Sequence, residues 1–348
     1  MNSRYEVLLM TRPSYLRLYH RTTAKLRPIE KSLANITPFH YPDIMDADPT
    51  MPSYLTLFRS GELERRADLL EDFLTECRLC PRRCGARRTE GQVGTCRAGL
   101  LPMVSSAFPH FGEEPELVGR HGSGTIFMTH CNLRCVFCQN DDISHGGAGQ
   151  EVSSEELAGY MVALGERGCH NINFVTPTQW VPQIVRALLV AVPMGLSVPL
   201  VYNTGGYDSV EVIGLLSGIF DIYMPDYKFS DEAPAKKYLN ASDYPEVIKA
   251  VLSEMHRQVG NLATDRRGVA YRGLLIRHLV MPEGLGGTEA AMRFIARELS
   301  ADSYVNIMDQ YRPECRAYQY PELSRPIGWA EYAEAARLAR EAGLSRGF

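Results

Sequence analysis

The sequence predicts an α/β protein built on a parallel sheet, and three observations carry that prediction. Short apolar runs alternate with helical segments about six times. The runs are continuously apolar rather than alternating, as strands buried on both faces are. A cysteine cluster follows the first run directly, at a strand end where α/β proteins place their chemistry. Six β/α units suit an open doubly wound sheet or an incomplete barrel.

The runs are 125–129 (TIFMT), 171–175 (NINFV), 198–203 (VPLVYN), 219–224 (IFDIYM), 274–280 (LLIRHLV) and 304–308 (YVNIM). Between them, helices are expected from Ser153, which forms a capping box with Glu156, and over 180–192, 209–216, 244–259 and 288–299. An Ala-rich helix over 329–342 closes the chain. Four regions are expected: a wrapping segment (1–74) ending in a short helix (65–74), a cysteine-rich knuckle (75–120), the β/α array (121–312) and a helical extension (313–348).

Composition excludes several classes. The 348 residues are 45% hydrophobic and 22% charged, an ordinary globular balance. A net charge of −4 gives no electrostatic footprint for nucleic acid or an anionic membrane. No run approaches the ~18 apolar residues of a membrane span. The N-terminus lacks the apolar core of a secretory signal, so a cytoplasmic protein is expected. Nine cysteines in such a chain point to metal rather than disulfides.

Seven of the nine fall into two clusters; Cys169 and Cys315 stand apart. The second cluster, THCNLRCVFCQN, sets Cys131, Cys135 and Cys138 in one loop. Iron–sulfur cubanes normally take four thiolates. Three leave one iron open, and an open position marks a catalytic centre. The alternatives are zinc, completed by His130 or His145, and three unrelated buried thiols. The first cluster, Cys77, Cys80, Cys84 and Cys96, offers enough thiolates to close a structural site, zinc or auxiliary iron–sulfur. Arginines 78, 82, 83, 87 and 88 would offset its charge.

Further candidates lie at strand ends. Thr176 and Thr178 follow the second run, Asn203 ends the third, and Asp226 and Lys228 follow the fourth. Of Arg277 and His278 in the fifth, one points inward and one outward; Gln310 follows the last. Asn173 is a further candidate in the second run. The acidic GEEPE stretch (112–116) reads as a solvated loop, with pairing to arginines 78, 82, 83, 87 and 88 or a place in the substrate entrance as alternatives.

The cysteine spacing, with Phe137 before the last cysteine, is the signature of the radical S-adenosylmethionine superfamily. With GSGTIFMTHCNLRCVFCQN, NINFVTPT, YNTGGY, DIYMPDYK and RHLVMP, the chain resembles the uncharacterised branch homologous to pyruvate formate-lyase activating enzyme, over roughly 75–312. The resemblance implies a partial (β/α)6 barrel. It implies a [4Fe-4S] cluster on Cys131, Cys135 and Cys138 whose fourth iron takes S-adenosylmethionine. It implies reductive cleavage to a 5′-deoxyadenosyl radical that abstracts hydrogen from a substrate, protein glycine or small molecule. Asp226 and Lys228 match the Asp-x-Lys that contacts adenosylmethionine. Thr176-Pro177-Thr178 stands where activating enzymes carry Gly-Gly-Glu, and Thr176, Thr178, Asn203 and Arg277 are further cofactor-binding candidates. A flavodoxin- or ferredoxin-type electron donor is implied. No residue is assigned as catalytic. The competing reading is a non-catalytic zinc- or iron–sulfur-binding scaffold or sensor.

Overall fold

The computed structural model describes residues 50–348, so most of the expected wrapping segment lies outside the described residues. Two helices come first, α1 (Tyr54–Arg59) and α2 (Glu62–Asp72). An irregular stretch with one 3-10 turn, Arg88–Glu90, carries the four N-terminal cysteines. Then follow β1 (Met103–His110), α3 (Pro115–Val118), β2 (Ser123–Met128), α4 (Asp141–Ser144) and β3 (Gln150–Glu151). The alternating part comprises α5 (Ser154–Glu166), β4 (Ile172–Val175), α6 (Val181–Ala191), β5 (Leu200–Thr204), α7 (Val210–Leu215), β6 (Ile222–Pro225), α8 (Glu232–Leu239) and α9 (Tyr244–Val259). It continues with β7 (Ala263–Thr264), β8 (Ala270–Leu279), α10 (Thr288–Phe294), β9 (Tyr304–Met308) and α11 (Trp329–Ala342).

The six expected runs form the parallel strands β2-β4-β5-β6-β8-β9, in that spatial order. Antiparallel β1 extends the β2 edge and was not expected from the sequence. Its segment MVSSAFPH is half polar and contains Pro109, which removes one backbone donor. The expected capping box starts α5: Ser153 Oγ accepts from Glu156 N at 3.1 Å, and Ser153 N donates to Glu156 Oε2 at 2.8 Å.

Strand pleating gives the sheet two cores. Val201, Ile222, Met224 and Leu275 point inward and pack with Leu117 and Tyr304. Leu200, Tyr202, Leu274 and Ile276 are buried on the helix-covered side, all within a larger cluster there. That cluster also takes in Leu63 and Leu70 of α2, Ala86 and Ala98 of the cysteine stretch, and Ala339 of α11. The boundaries expected near 74, 120 and 312 therefore do not divide the packing, and the described residues fall in one compact unit. Among them no helix is long and apolar enough to cross a membrane.

Candidate active site

A cavity of about 690 Å³ opens at the C-terminal ends of the parallel strands. Cys131, Cys135 and Cys138 all line it, in the loop after β2. Burial pushes the Cys131 thiol up to about 12. It also raises Cys135, against the pull of the Lys228 ammonium. Donors reach the sulfurs: Leu133 N lies 3.4 Å from Cys131 Sγ, and Ser144 Oγ lies 3.1 Å from Cys138 Sγ. Such donors and a nearby cation favour the thiolate that ligates metal. Among the described residues no three His, Cys, Asp or Glu side chains are gathered around one point as they stand, in this loop or in the first cysteine cluster. A cluster takes one thiolate at each of several irons, so the donor set fits it.

The loop is pinned from below. Trp180 Nε1 donates to Thr129 O at 2.7 Å, and Gln179 Nε2 donates to Thr129 O (3.0 Å), His130 O (3.1 Å) and Thr176 O (2.8 Å). His130 and Thr176 both have positive φ, 63° and 59°. A β-branched residue there is strained, and such strain gathers at functional sites. Gln179 had no signal in the sequence, because its part depends on where the turn before α6 meets the cysteine loop.

Most candidate ligand residues reach the cavity. Thr176, Asn203, Asp226, Lys228, Arg277 and Gln310 line it. Lys228 Nζ lies 2.6 Å from Asp226 Oδ2. Burial would lower the Lys228 pKa, but Asp226 and then Cys135 hold it above its ordinary range. Thr178 does not line the cavity. Its hydroxyl donates to Asp208 at 2.7 Å, in a buried network with Tyr202 and Thr204. Thr178, read from the sequence as a cofactor-binding candidate, is thus placed away from the cavity lining. Asn173 is fully buried with its amide unpartnered and lies outside the cavity lining. Neither His130 nor His145 lines it. His145 Nδ1 instead faces Cys315 Sγ at 3.7 Å. His278 points outward, fully buried between Tyr227 O (2.8 Å) and Thr288 Oγ1 (2.9 Å).

The GEEPE stretch is not a solvated loop. Glu114 is only 5% exposed. Arg277 donates to both Glu114 oxygens at 2.7 Å and also pairs with Glu113. Asn306 Nδ2 donates to Glu114 at 2.7 Å, and Tyr304 donates to Glu116 at 2.8 Å. Burial would raise Glu114, yet Arg277 and Asn306 hold its carboxyl below the usual range. His110 Nδ1 lies 3.4 Å from Glu113. The partner is Arg277 rather than the arginines of the cysteine-rich segment, and at more than 160 residues' separation nothing local to GEEPE points to it.

The first cysteine cluster sits beside this loop, outside the cavity. Arg82 donates to Asn132 O at 3.1 Å, and Arg134 donates to Thr95 O at 3.0 Å. Arg88 is 1% exposed, donates to Gly99 O (2.8 Å) and Gln179 O (2.7 Å), and lies over Trp180. Its charge acts on Cys77 and Cys96. A Cβ on Gly94 would fall 2.2 Å from Cys84 Sγ, so only glycine allows that wrap.

Fold and site together define an α/β protein with a buried three-thiol pocket at the C-terminal edge of a parallel sheet. The chain belongs to the family of the uncharacterized protein MJ0674 of Methanocaldococcus jannaschii, being 31% identical to it over 292 residues, 81% of this chain and 79% of that protein. No family model matches. Among solved structures, the chain is similar to a radical SAM methyltransferase from Sphaerobacter thermophilus (TM-score 0.45, 14% identity, 64% of this chain and 65% of that one). It is also similar to the cobalamin-dependent S-adenosylmethionine radical enzyme OxsB with aqua-cobalamin bound (TM-score 0.36, 13% identity, 65% of this chain and 36% of that one). It spans less than two thirds of either structure.

Proposed function

We propose that the protein is a radical S-adenosylmethionine enzyme. One observation carries the reading: Cys131, Cys135 and Cys138 line a single cavity with the paired Asp226 and Lys228. When bound, a [4Fe-4S] cluster on these cysteines would supply the electron that cleaves adenosylmethionine to methionine and a 5′-deoxyadenosyl radical.

The chain's own residues bind and orient. Asp226 and Lys228 offer an acid and a base to a zwitterionic ligand with ribose hydroxyls. The Asn203 side chain and the Thr176 turn offer uncharged donors and acceptors to its methionyl group, in place of the Gly-Gly-Glu of activating enzymes. Leu133, Val175 and Phe127 line the same cavity and exclude water from the reacting atoms. Cys77, Cys80, Cys84 and Cys96 hold a second centre, zinc or iron–sulfur. A flavodoxin- or ferredoxin-type protein donates the electron. The sequence likeness to activating enzymes supports hydrogen abstraction from a substrate, protein or small molecule.

Anaerobically reconstituted, reduced protein should convert adenosylmethionine to methionine and 5′-deoxyadenosine. Colourless protein carrying only zinc and leaving adenosylmethionine intact would support a scaffold instead.

A further inference from the structure

A curled open sheet leaves a gap between its first and last strands, and through such a gap an extended peptide could reach the cavity. Here that gap is crossed by side chains. Glu114, on the connection between β1 and β2, takes both donors of Arg277 on β8 and the amide of Asn306 on β9, each at 2.7 Å. Below it Glu116 accepts from Tyr304 of β9 at 2.8 Å. Lateral entry would break a buried carboxylate–guanidinium pair, which is costly because each charge is left alone in a dry site. What remains is a cavity of about 690 Å³, within the ~300–1,000 Å³ range of small-ligand pockets. It must also hold the cluster and adenosylmethionine.

The charges on its walls are committed to one another or, for Asp226 and Lys228, also to adenosylmethionine on the proposed reading. Among the described residues lining it, Lys228 pairs with Asp226, and Arg277 pairs with Glu113 and Glu114. No cation there lacks a carboxylate, so an anionic substrate would find none to meet it. The side chains of Asn140 and Gln310 are further uncharged polar groups along its lining.

Resting on the proposed function, we infer that the substrate is a small, non-anionic polar molecule rather than a residue of a folded protein. The seam closes the lateral route to a backbone, the space left beside the cluster and adenosylmethionine suits a small molecule, and the paired walls offer no free cation to a phosphate or carboxylate.

The test uses the full-length holoenzyme, reduced without oxygen. Cells grown in heavy water supply a deuterated extract, which ultrafiltration divides into protein retentate and filtrate. An anion exchanger then divides the filtrate into bound and unbound pools. Each pool is incubated with unlabelled adenosylmethionine, and the deuterium in 5′-deoxyadenosine is read by mass spectrometry. The unbound filtrate should give at least about tenfold more label than the other pools. Label from the retentate, from the anion-bound pool or from no pool overturns the inference while leaving the radical reading standing. No 5′-deoxyadenosine in any pool overturns both.

Discussion

The two cysteine clusters lie side by side and are built differently. The loop of Cys131, Cys135 and Cys138 turns its sulfurs toward a cavity whose other walls carry a Lys–Asp pair and an Arg–Glu pair. The stretch holding Cys77, Cys80, Cys84 and Cys96 faces no such space. Backbone turns wrap it (Cys77 N to Ala86 O at 3.1 Å, Gly85 N to Cys77 O at 3.0 Å), and the buried Arg88 backs it. On the proposed reading, one arrangement would leave room for a ligand beside its metal and the other would close around its own. That difference separates catalytic from structural centres.

The largest effect that could break this contrast concerns the cysteines themselves. Cys135→Ala should abolish 5′-deoxyadenosine formation, while Cys84→Ala should keep the adenosylmethionine-responsive cluster and lose a second metal by elemental analysis. Equal loss of both metals in each variant would show the two clusters to be one folding unit.

Next is the seam. Arg277→Met strands Glu113 and Glu114 as buried carboxylates and should destabilise the protein by about 3–5 kcal/mol in urea unfolding. Adding Glu114→Gln should restore part of that. A neutral Arg277→Met would mean that the seam is open in solution.

His278 tests the helix-covered side, where no ligand is expected. Burial lowers its pKa from the ordinary 6.5 to about 4. The unfolded chain therefore takes up a proton that the native state refuses. Stability is fully present above pH ~6.5 and falls as pH drops toward 4, by about 3 kcal/mol in total. His278→Gln should flatten that slope in thermal melts between pH 4 and 7 without changing adenosylmethionine cleavage.

The smallest expected effect is at the ligand wall. Lys228→Met should weaken adenosylmethionine binding about 10–100-fold, the usual scale for groups supporting a metal site, with cluster content unchanged. Unchanged binding by calorimetry would remove the Asp226–Lys228 pair from the ligand contacts.

Much of this was legible because it is local. Continuous apolar runs such as YVNIM gave all six parallel strands, and α9, β9 and α11 match their expected limits. Three cysteines in eight residues announce their own loop. What escaped depends on distant pairing. Glu114 and Arg277 are 163 residues apart, and nothing near GEEPE hints that it is buried. Thr178 sits at the expected strand end, yet Asp208 claims its hydroxyl. Gln179 matters only because the fold lays it under the cysteine loop. β1 was missed because its polar residues and Pro109 break the apolar pattern. The fold brings Arg82 of the first cluster onto Asn132 of the second, which spacing could not foretell.

The central claim is that the three-cysteine pocket leaves one iron free for adenosylmethionine. Electron paramagnetic resonance of the anaerobically reduced protein tests it most directly. The account predicts a reduced cluster signal that shifts when adenosylmethionine is added, in wild type and in Cys84→Ala alike. A signal indifferent to adenosylmethionine, or an adenosylmethionine-responsive signal that survives in Cys135→Ala, would contradict it.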